Sequence, residues 1–261
     1  MGVLIVALVI EGYIISRQWP TDYLTVAILN VGQGEAIYID TPKHHRLLID
    51  GGATHAILGE LSRFVPFYTR FLDAVILTAP EDLRVGGLVD VLNSYRTGTI
   101  IIPSGTSSSQ LYTQLKDIIV KQQIATSSAE RGLALNFGDG VYLTILYPDK
   151  NSLASADIGP IMGKLTFGST SVLLTAGAPA GFEDYVLAQN GTSTLASTIF
   201  TTLYDGPKNV PSPNFIEAVS PQWLAVSAKS VFPNDFAIPT LYTFQNDTIV
   251  FHCTKEKCVL K

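Results

Sequence analysis

Between residues 74 and 94 a short apolar segment passes straight into a tight polar turn and then into a glycine pair. Ala74 to Thr78 reads as a buried strand, Ala79 to Arg84 as the turn, and Gly86-Gly87 opens a helix that runs to Ser94. Strand, turn and helix in immediate succession require a fold in which helices pack against a sheet. The turn itself carries Glu81, Asp82 and Arg84, so its charges sit where such a fold places its loops.

The same style continues on both sides. Strand-like runs cover Leu24 to Leu29, Ala36 to Ile39 and Arg46 to Ile49, the last ending in Asp50-Gly51-Gly52. Ala53 to Arg63 predicts a helix, Thr99 to Ile102 a buried strand, and Gln110 to Gln123 a helix with Leu111, Leu115, Ile118 and Ile119 at helical spacing. After a strand at Val141 to Leu146, the polar loop Pro148 to Gly159 divides the chain. A hairpin of Lys164 to Phe167 and Ser171 to Thr175 follows. Phe182 to Gln189 predicts a helix, Ser197 to Leu203 a strand, Pro213 to Val219 a helix and Trp223 to Ser227 a strand. Thr248 to His252 reads as the last strand. Two such halves imply an α+β fold with two sheets packed face to face and helices outside.

At 261 residues the chain is one large domain with at most a short appendage, and it is long enough to bury a sizeable core. Charged residues make up 15% and the net charge is −5, so no global basic field draws it to nucleic acid. Residues 1–20 are set apart. Val3 to Ile15 is apolar except for Glu11 and Gly12, and as a helix it spans about 20 Å of a ~30 Å hydrocarbon core. Extension to Trp19, with Trp19 and Tyr23 at the interface, brings it closer to a span, although Glu11 costs about 2.5–3.5 kcal/mol on insertion scales. No Lys or Arg precedes the run and no small-x-small site follows it, so a single membrane anchor or the last span of a larger membrane protein is expected rather than a signal peptide, with a buried N-terminal helix or strand as the other reading. The main domain is then 21–261. Cys253 and Cys258, with four residues between them, lack the spacing of a zinc ribbon; a local disulfide and two free thiols both remain open.

The order of motifs resembles the metallo-β-lactamase-like domain at the C-terminus of the ComEC-type competence DNA-uptake channel family. Leu29-Asn30-Val31-Gly32-Gln33-Gly34-Glu35-Ala36 stands where that family has Leu-Asp-Val-Gly-Gln-Gly-Asp-Ala, and Leu48-Ile49-Asp50-Gly51-Gly52 is intact. Leu173-Leu174-Thr175-Ala176-Gly177 stands for Leu-Leu-Thr-Gly-Asp, and Phe200 to Gly206 for Leu-Lys-Val-Gly-His-His-Gly. The match runs from about Leu24 to His252. It implies a metallo-β-lactamase-type αββα sandwich of two mixed sheets with helices outside, preceded by a short N-terminal hydrophobic helix.

The resemblance also implies a zinc site at one edge, and here its ligands are missing. The family's His-x-His-x-Asp-His turn reads Ala79, Glu81, Leu83 and Arg84; the bridging Asp is Gly177; the later His-His pair is Tyr204-Asp205; and a Gly-His-Pro near the end is replaced around Ala237-Ile238-Pro239. Ala79 and Leu83 offer no donor and Arg84 is a permanent cation. No cofactor is therefore expected, and no residue is assigned a catalytic role. The remnant pocket is expected to comprise Asp50, Glu81, Asp82, Arg84 and Asp205, with Asp50 also able to accept hydrogen bonds from loop amides. An Arg84 pair with Glu81 or Asp82 is expected to be exposed and to contribute little.

Other chemistry is weaker. His44, His45, His55 and His252 show no ligand spacing and read as solvated or core residues; Ser107 to Ser109 reads as a solvated loop; Gly32-Gln33-Gly34 reads as a turn. Two functions follow. The first is a non-catalytic binding or assembly module of this fold, held at the cytoplasmic membrane with its main domain outside, beside an envelope or DNA-uptake complex and without direct nucleic-acid binding. The second is a metal-dependent phosphodiesterase whose Glu81, Asp82 and Asp205 hold a hard cation such as Mg²⁺ or Mn²⁺.

Overall fold

The computed structural model describes residues 20–104, 107–149 and 160–261. The expected N-terminal anchor, with the helix expected to form it, and most of the Pro148 to Gly159 loop lie outside the described residues. Among the described residues, no helix is long and apolar enough to cross a membrane.

Fifteen strands among the described residues form two sheets. The first contains β1 (Leu24–Ile28), β2 (Ile37–Asp40), β3 (Arg46–Ile49), β4 (Phe71–Ile76), β5 (Arg96–Ile102), β6 (Ala125–Ser128), β14 (Ile249–Cys253) and β15 (Cys258–Leu260), in the order β15-β14-β1-β2-β3-β4-β5-β6. The second contains β7 (Ala134–Asn136), β8 (Val141–Tyr147), β9 (Met162–Phe167), β10 (Thr170–Leu174), β11 (Ile199–Tyr204), β12 (Trp223–Ala228) and β13 (Thr240–Tyr242), in the order β13-β12-β11-β10-β9-β8-β7. Each is mixed: β1 to β3 pair antiparallel and β3 to β6 parallel, while β7 to β10 pair antiparallel and β10 to β13 parallel.

Strand alternation sends one set of side chains between the sheets and the other towards helices. Val26, Ile28, Ile39, Leu47, Leu143, Leu165, Val172 and Phe251 belong to the inter-sheet core. Ala27, Tyr38, Leu48 and Val75 face α1 (Ala56–Phe64), α2 (Asp82–Ser94) and α3 (Gln110–Lys121). Leu173, Phe200 and Leu224 face α4 (Ala180–Leu195) and α5 (Pro213–Val219). A one-turn α6 (Thr243–Asn246) precedes β14. The result is the expected αββα sandwich.

Local sequence explains the helix starts. Ser109 accepts from the Tyr112 N–H at 3.1 Å and caps α3. Ser212 caps α5 in the same way, with Pro213 in the first turn. The hydrophobic face of α2 is broader than a stripe: Arg84, Val85, Gly86, Gly87, Leu88, Val89, Val91 and Leu92 are all buried, because α1, α3 and the sheet surround it. Gly86 and Gly87 permit this burial. A methyl on Gly87 would lie 2.0 Å from the Gly51 carbonyl oxygen, and one on Gly86 would lie 2.1 Å from that of Ala53.

Three short strands, β6, β7 and β13, fall where the sequence shows no clear period, and β15 follows the strand expected to be last. The β14–β15 hairpin places Cys253 opposite Cys258, and the two are joined by a disulfide. That decides between the two states left open above.

Candidate functional site

The loop after β3 and the start of α2 meet at the edge of the sandwich. The Asp50 N–H donates to the Ile76 carbonyl at 2.8 Å, Gly51 N–H to Arg84 O at 2.9 Å, and Gly87 N–H to Gly52 O at 2.9 Å. These bonds fix the turn from β4 into α2 against the Asp50-Gly51-Gly52 loop. They also turn the Arg84 side chain inward.

Arg84 is 3% exposed, so the expected exposed pair is corrected: the cation is buried and only its Glu81 partner is open to solvent. Its Nη1 donates to Thr78 Oγ1 at 3.0 Å and lies 3.4 Å from Asp50 Oδ2 and 3.9 Å from Glu35 Oε2. Its Nε donates to Glu81 Oε2 at 3.2 Å. Its Nη2 reaches the second sheet's side of the molecule and donates to the Ala176 carbonyl at 2.7 Å, in the loop after β10. The burial that opposes the cation is outweighed by Asp50, Glu81 and Glu35, which leave its pKa raised. A buried arginine needs such a set, because an unpaired cation at that depth costs several kcal/mol.

Asp50 is fully buried and accepts from the Thr78 N–H at 2.8 Å and from the Thr78 hydroxyl at 2.5 Å. Burial raises its pKa against the opposing pull of Arg84 and Thr78. Glu35 is also buried, and neither carboxyl oxygen has a hydrogen-bond partner among the described residues. Burial, partly offset by Arg84, pushes its pKa up to about 8, so it is mostly protonated at neutral pH. Asp50 and Ala176 both have left-handed backbones, with φ of 56° and 50°. A non-glycine residue in that region costs about 1–3 kcal/mol, and Arg84 bonds both.

The other expected residues go elsewhere. Asp82 accepts from the Ser109 hydroxyl and links the start of α2 to the cap of α3. Asp205 is exposed at the end of β11 and lines a neighbouring cleft of about 170 Å³ with Gly32 to Gly34, Tyr204, Lys229 and Ser230. Lys229 Nζ donates to Gln33 Oε1 at 3.2 Å across this cleft. Thus Asp50, Glu81 and Arg84 are brought together, while Asp82 and Asp205 are not part of that cluster. Sequence reasoning missed Glu35, Thr78 and the Ala176 carbonyl. Only Glu35 had a signal, its place at the acidic position of the Gly32-Gln33-Gly34 segment.

The donors present do not fit a zinc pair. Ala79 is buried with no donor, Arg84 places a guanidinium between Asp50 and the Ala176 carbonyl, and Gly177 offers no side chain. Among the described residues, no three His, Cys, Asp or Glu side chains are placed to hold a metal ion. Gly177 is also closed to a carboxylate: its φ is +65°, and a Cβ would lie 2.8 Å from the Leu203 carbonyl oxygen.

The fold is that of the metallo-β-lactamases. The metallo-β-lactamase fold protein YhfI from Bacillus subtilis aligns over 89% of this chain and 100% of its own, with a TM-score of 0.60 and 13% identity. A metallo hydrolase from Ignicoccus hospitalis aligns over 87% of this chain and 98% of its own, with a TM-score of 0.56 and 12% identity. In sequence, the chain is 23% identical over 220 residues to ComE operon protein 3 of Bacillus subtilis (strain 168). That match covers 78% of this chain and 28% of the relative, so the chain spans well under a third of that protein. No protein-family model matches the chain.

Proposed function

We propose that this chain is a non-catalytic member of the metallo-β-lactamase fold that acts as a binding or assembly module. The observation that carries the reading is the Arg84 guanidinium, buried against Asp50 and hydrogen-bonded to the Ala176 carbonyl in the turn where the fold's metal ligands would stand. A fixed organic cation holds the two loops together there but cannot activate a water as a metal does. The cleft lined by Gly32 to Gly34, Tyr204 to Gly206 and Lys229 offers a binding surface at this edge.

The sequence relation to ComE operon protein 3, together with the motif order, supports an association with an envelope or DNA-uptake complex. Residues 1–20 anchor the chain in the cytoplasmic membrane, with residues 21–261 outside it. The Cys253–Cys258 disulfide supports that side, since such bonds persist in oxidising compartments. A net charge of −5 argues against direct nucleic-acid binding.

Metal analysis and a phosphodiesterase assay on the purified full chain test this reading together. The expected result is a folded protein without stoichiometric metal and without metal-stimulated hydrolysis. Stoichiometric zinc, manganese or iron, with hydrolysis abolished by Glu81→Ala, would overturn it. Release of the full chain from membranes by carbonate would reject the anchor separately.

A further inference from the structure

Strand register gives the first sheet two distinct ends. Asp50, Thr78 and Arg84 stand where β3 and β4 finish, whereas the first residues of β1, β3, β4 and β5 stand at the opposite end. At that opposite end the Thr21 N–H donates to the Pro42 carbonyl at 2.8 Å. The described chain therefore enters the fold there, shortly after the apolar run Val3 to Ile15. The loop between α1 and β4 lies at the same end and carries Phe67, which is 79% exposed, more than any other large apolar side chain described. This loop is held in place. The Thr69 N–H donates to Pro66 O at 3.0 Å, Arg46 Nη1 donates to Thr69 Oγ1 at 3.2 Å, and the Arg96 N–H donates to Arg70 O at 2.9 Å. A phenyl ring is thus fixed in solvent on a braced turn, with Tyr68 edge-on to it at 5.4 Å between centroids.

Charge at this end runs against that of the chain as a whole. Exposed Lys43, Arg70, Arg96, Lys255 and Lys257 lie in its turns, against exposed Asp22 and Glu256 and the half-buried Asp139. Asp40 is paired with His44, and Asp73 with His45 and the Arg46 N–H. The chain carries −5 overall, and Glu35, Asp50, Glu81, Asp82 and Asp205 lie toward the other end. Arg63 and Arg70 share a cleft of about 230 Å³ with Phe67, so cations flank the ring itself. A projecting aromatic ring among surplus cations matches an anionic bilayer surface. The ring enters the headgroup layer while Lys and Arg meet the lipid phosphates.

We propose that this end of the domain docks on an anionic phospholipid surface, with Phe67 among the headgroups and Lys43, Arg70 and Arg96 against the lipid phosphates. The proposal rests on the anchoring reading for the approach of residues 1–20 to the bilayer; the contact itself is made by the folded domain. Docked in this way, the cleft of Gly32 to Gly34 and Lys229, at the other end of the strands, faces away from the bilayer and stays open to a partner.

The test uses the full chain, whose two cysteines are joined to one another, so that one introduced cysteine takes a single label. Ser62→Cys, in the cleft beside Phe67, carries a polarity-sensitive fluorophore; Val231→Cys, exposed beyond β12 at the other end, carries the same label as the control. Each is mixed with vesicles of equimolar phosphatidylglycerol and phosphatidylcholine, or of phosphatidylcholine alone. Emission at Ser62→Cys should rise severalfold and shift to the blue on the anionic vesicles only, and emission at Val231→Cys should not change. Adding Phe67→Ser, or Arg70→Gln with Arg96→Gln, should remove most of the rise. Phe67→Ser deletes a mostly exposed side chain and keeps the fold, so it decides the matter if the arginine variant does not fold. No rise at Ser62→Cys, an equal rise on phosphatidylcholine, or a rise unchanged by Phe67→Ser would overturn the proposal. So would a rise without lipid that grows with protein concentration, which would place a second copy on this face. A chain that resists carbonate but shows no rise rejects the docked face alone. A chain that carbonate releases but that still responds to anionic vesicles rejects the anchor alone.

Discussion

Arg84 Nη2 donates to the Ala176 carbonyl at 2.7 Å, and that single bond joins the α2 turn of the first half to the β10 loop of the second. The same guanidinium lies 3.4 Å from Asp50, so a cation spans the two loops that bracket the edge of the sandwich. The buried position of Arg84 thus gives a positional role to a residue that, as an exposed charge, would contribute almost nothing. Its removal is the most direct probe of that role.

Arg84→Met leaves Asp50 as a buried carboxylate with no cation opposite it, and urea unfolding should show a loss of about 3–5 kcal/mol. Pairing it with Asp50→Asn removes the stranded charge and should recover part of the loss. A double variant as unstable as the sum of the two single variants would show that Arg84 and Asp50 do not act on one another.

Glu35 sets a pH dependence. Its carboxyl is held up to about 8 in the folded protein against an ordinary value of 4.5. Below about pH 4.5 it is protonated in both states and its contribution is fully present; between there and about 8 only the unfolded chain releases the proton, so stability falls as pH rises, by at most about 1.4 kcal/mol per unit. Glu35→Gln should flatten the decline measured between pH 5 and pH 8. It will not abolish it, because burial also holds Glu183 up to about 7. An unchanged slope in the variant would exclude Glu35 as its source.

Gly177→Asp returns a carboxylate to a position where the resembling family carries one, yet it should not bring zinc with it. A side chain there meets the Leu203 carbonyl and a left-handed backbone, so a loss of about 1–3 kcal/mol is expected. Thermal unfolding with and without added zinc checks both parts; a zinc-dependent rise in Tm would contradict the account.

The Cys253–Cys258 bridge closes a loop of four residues, and the chain-entropy relation gives about 2 kcal/mol for its removal. Cys253→Ser with Cys258→Ser should release β15 while β14 stays paired to β1. Hydrogen exchange should therefore rise at Cys258 to Leu260 and change little at Leu24 to Ile28.

Hydrophobic period and turn chemistry reveal the αββα order, because each core strand and helix repeats a pattern that local physics reads directly. The weak elements escape for the same reason. All four residues of β6, Ala125 to Ser128, are exposed, and they pair only because β5 offers an open edge. Helix α4 runs on to Leu195, past the expected Gln189, through a break at Gly191 that helix propensity does not foresee.

The sequence by itself determined that three positions where the resembling family carries metal ligands, Ala79, Leu83 and Gly177, have no side-chain ligand atom in any conformation. It could not assign Arg84. Its neighbours in the chain are Glu81 and Asp82, and by proximity alone it reads as one of a solvated pair. Tertiary structure brought Asp50, 34 positions away, and Ala176, 92 positions away, to the same guanidinium and excluded water from it. Burial and long-range partners, which no local pattern encodes, turned a surface charge into the cation at the centre of the site.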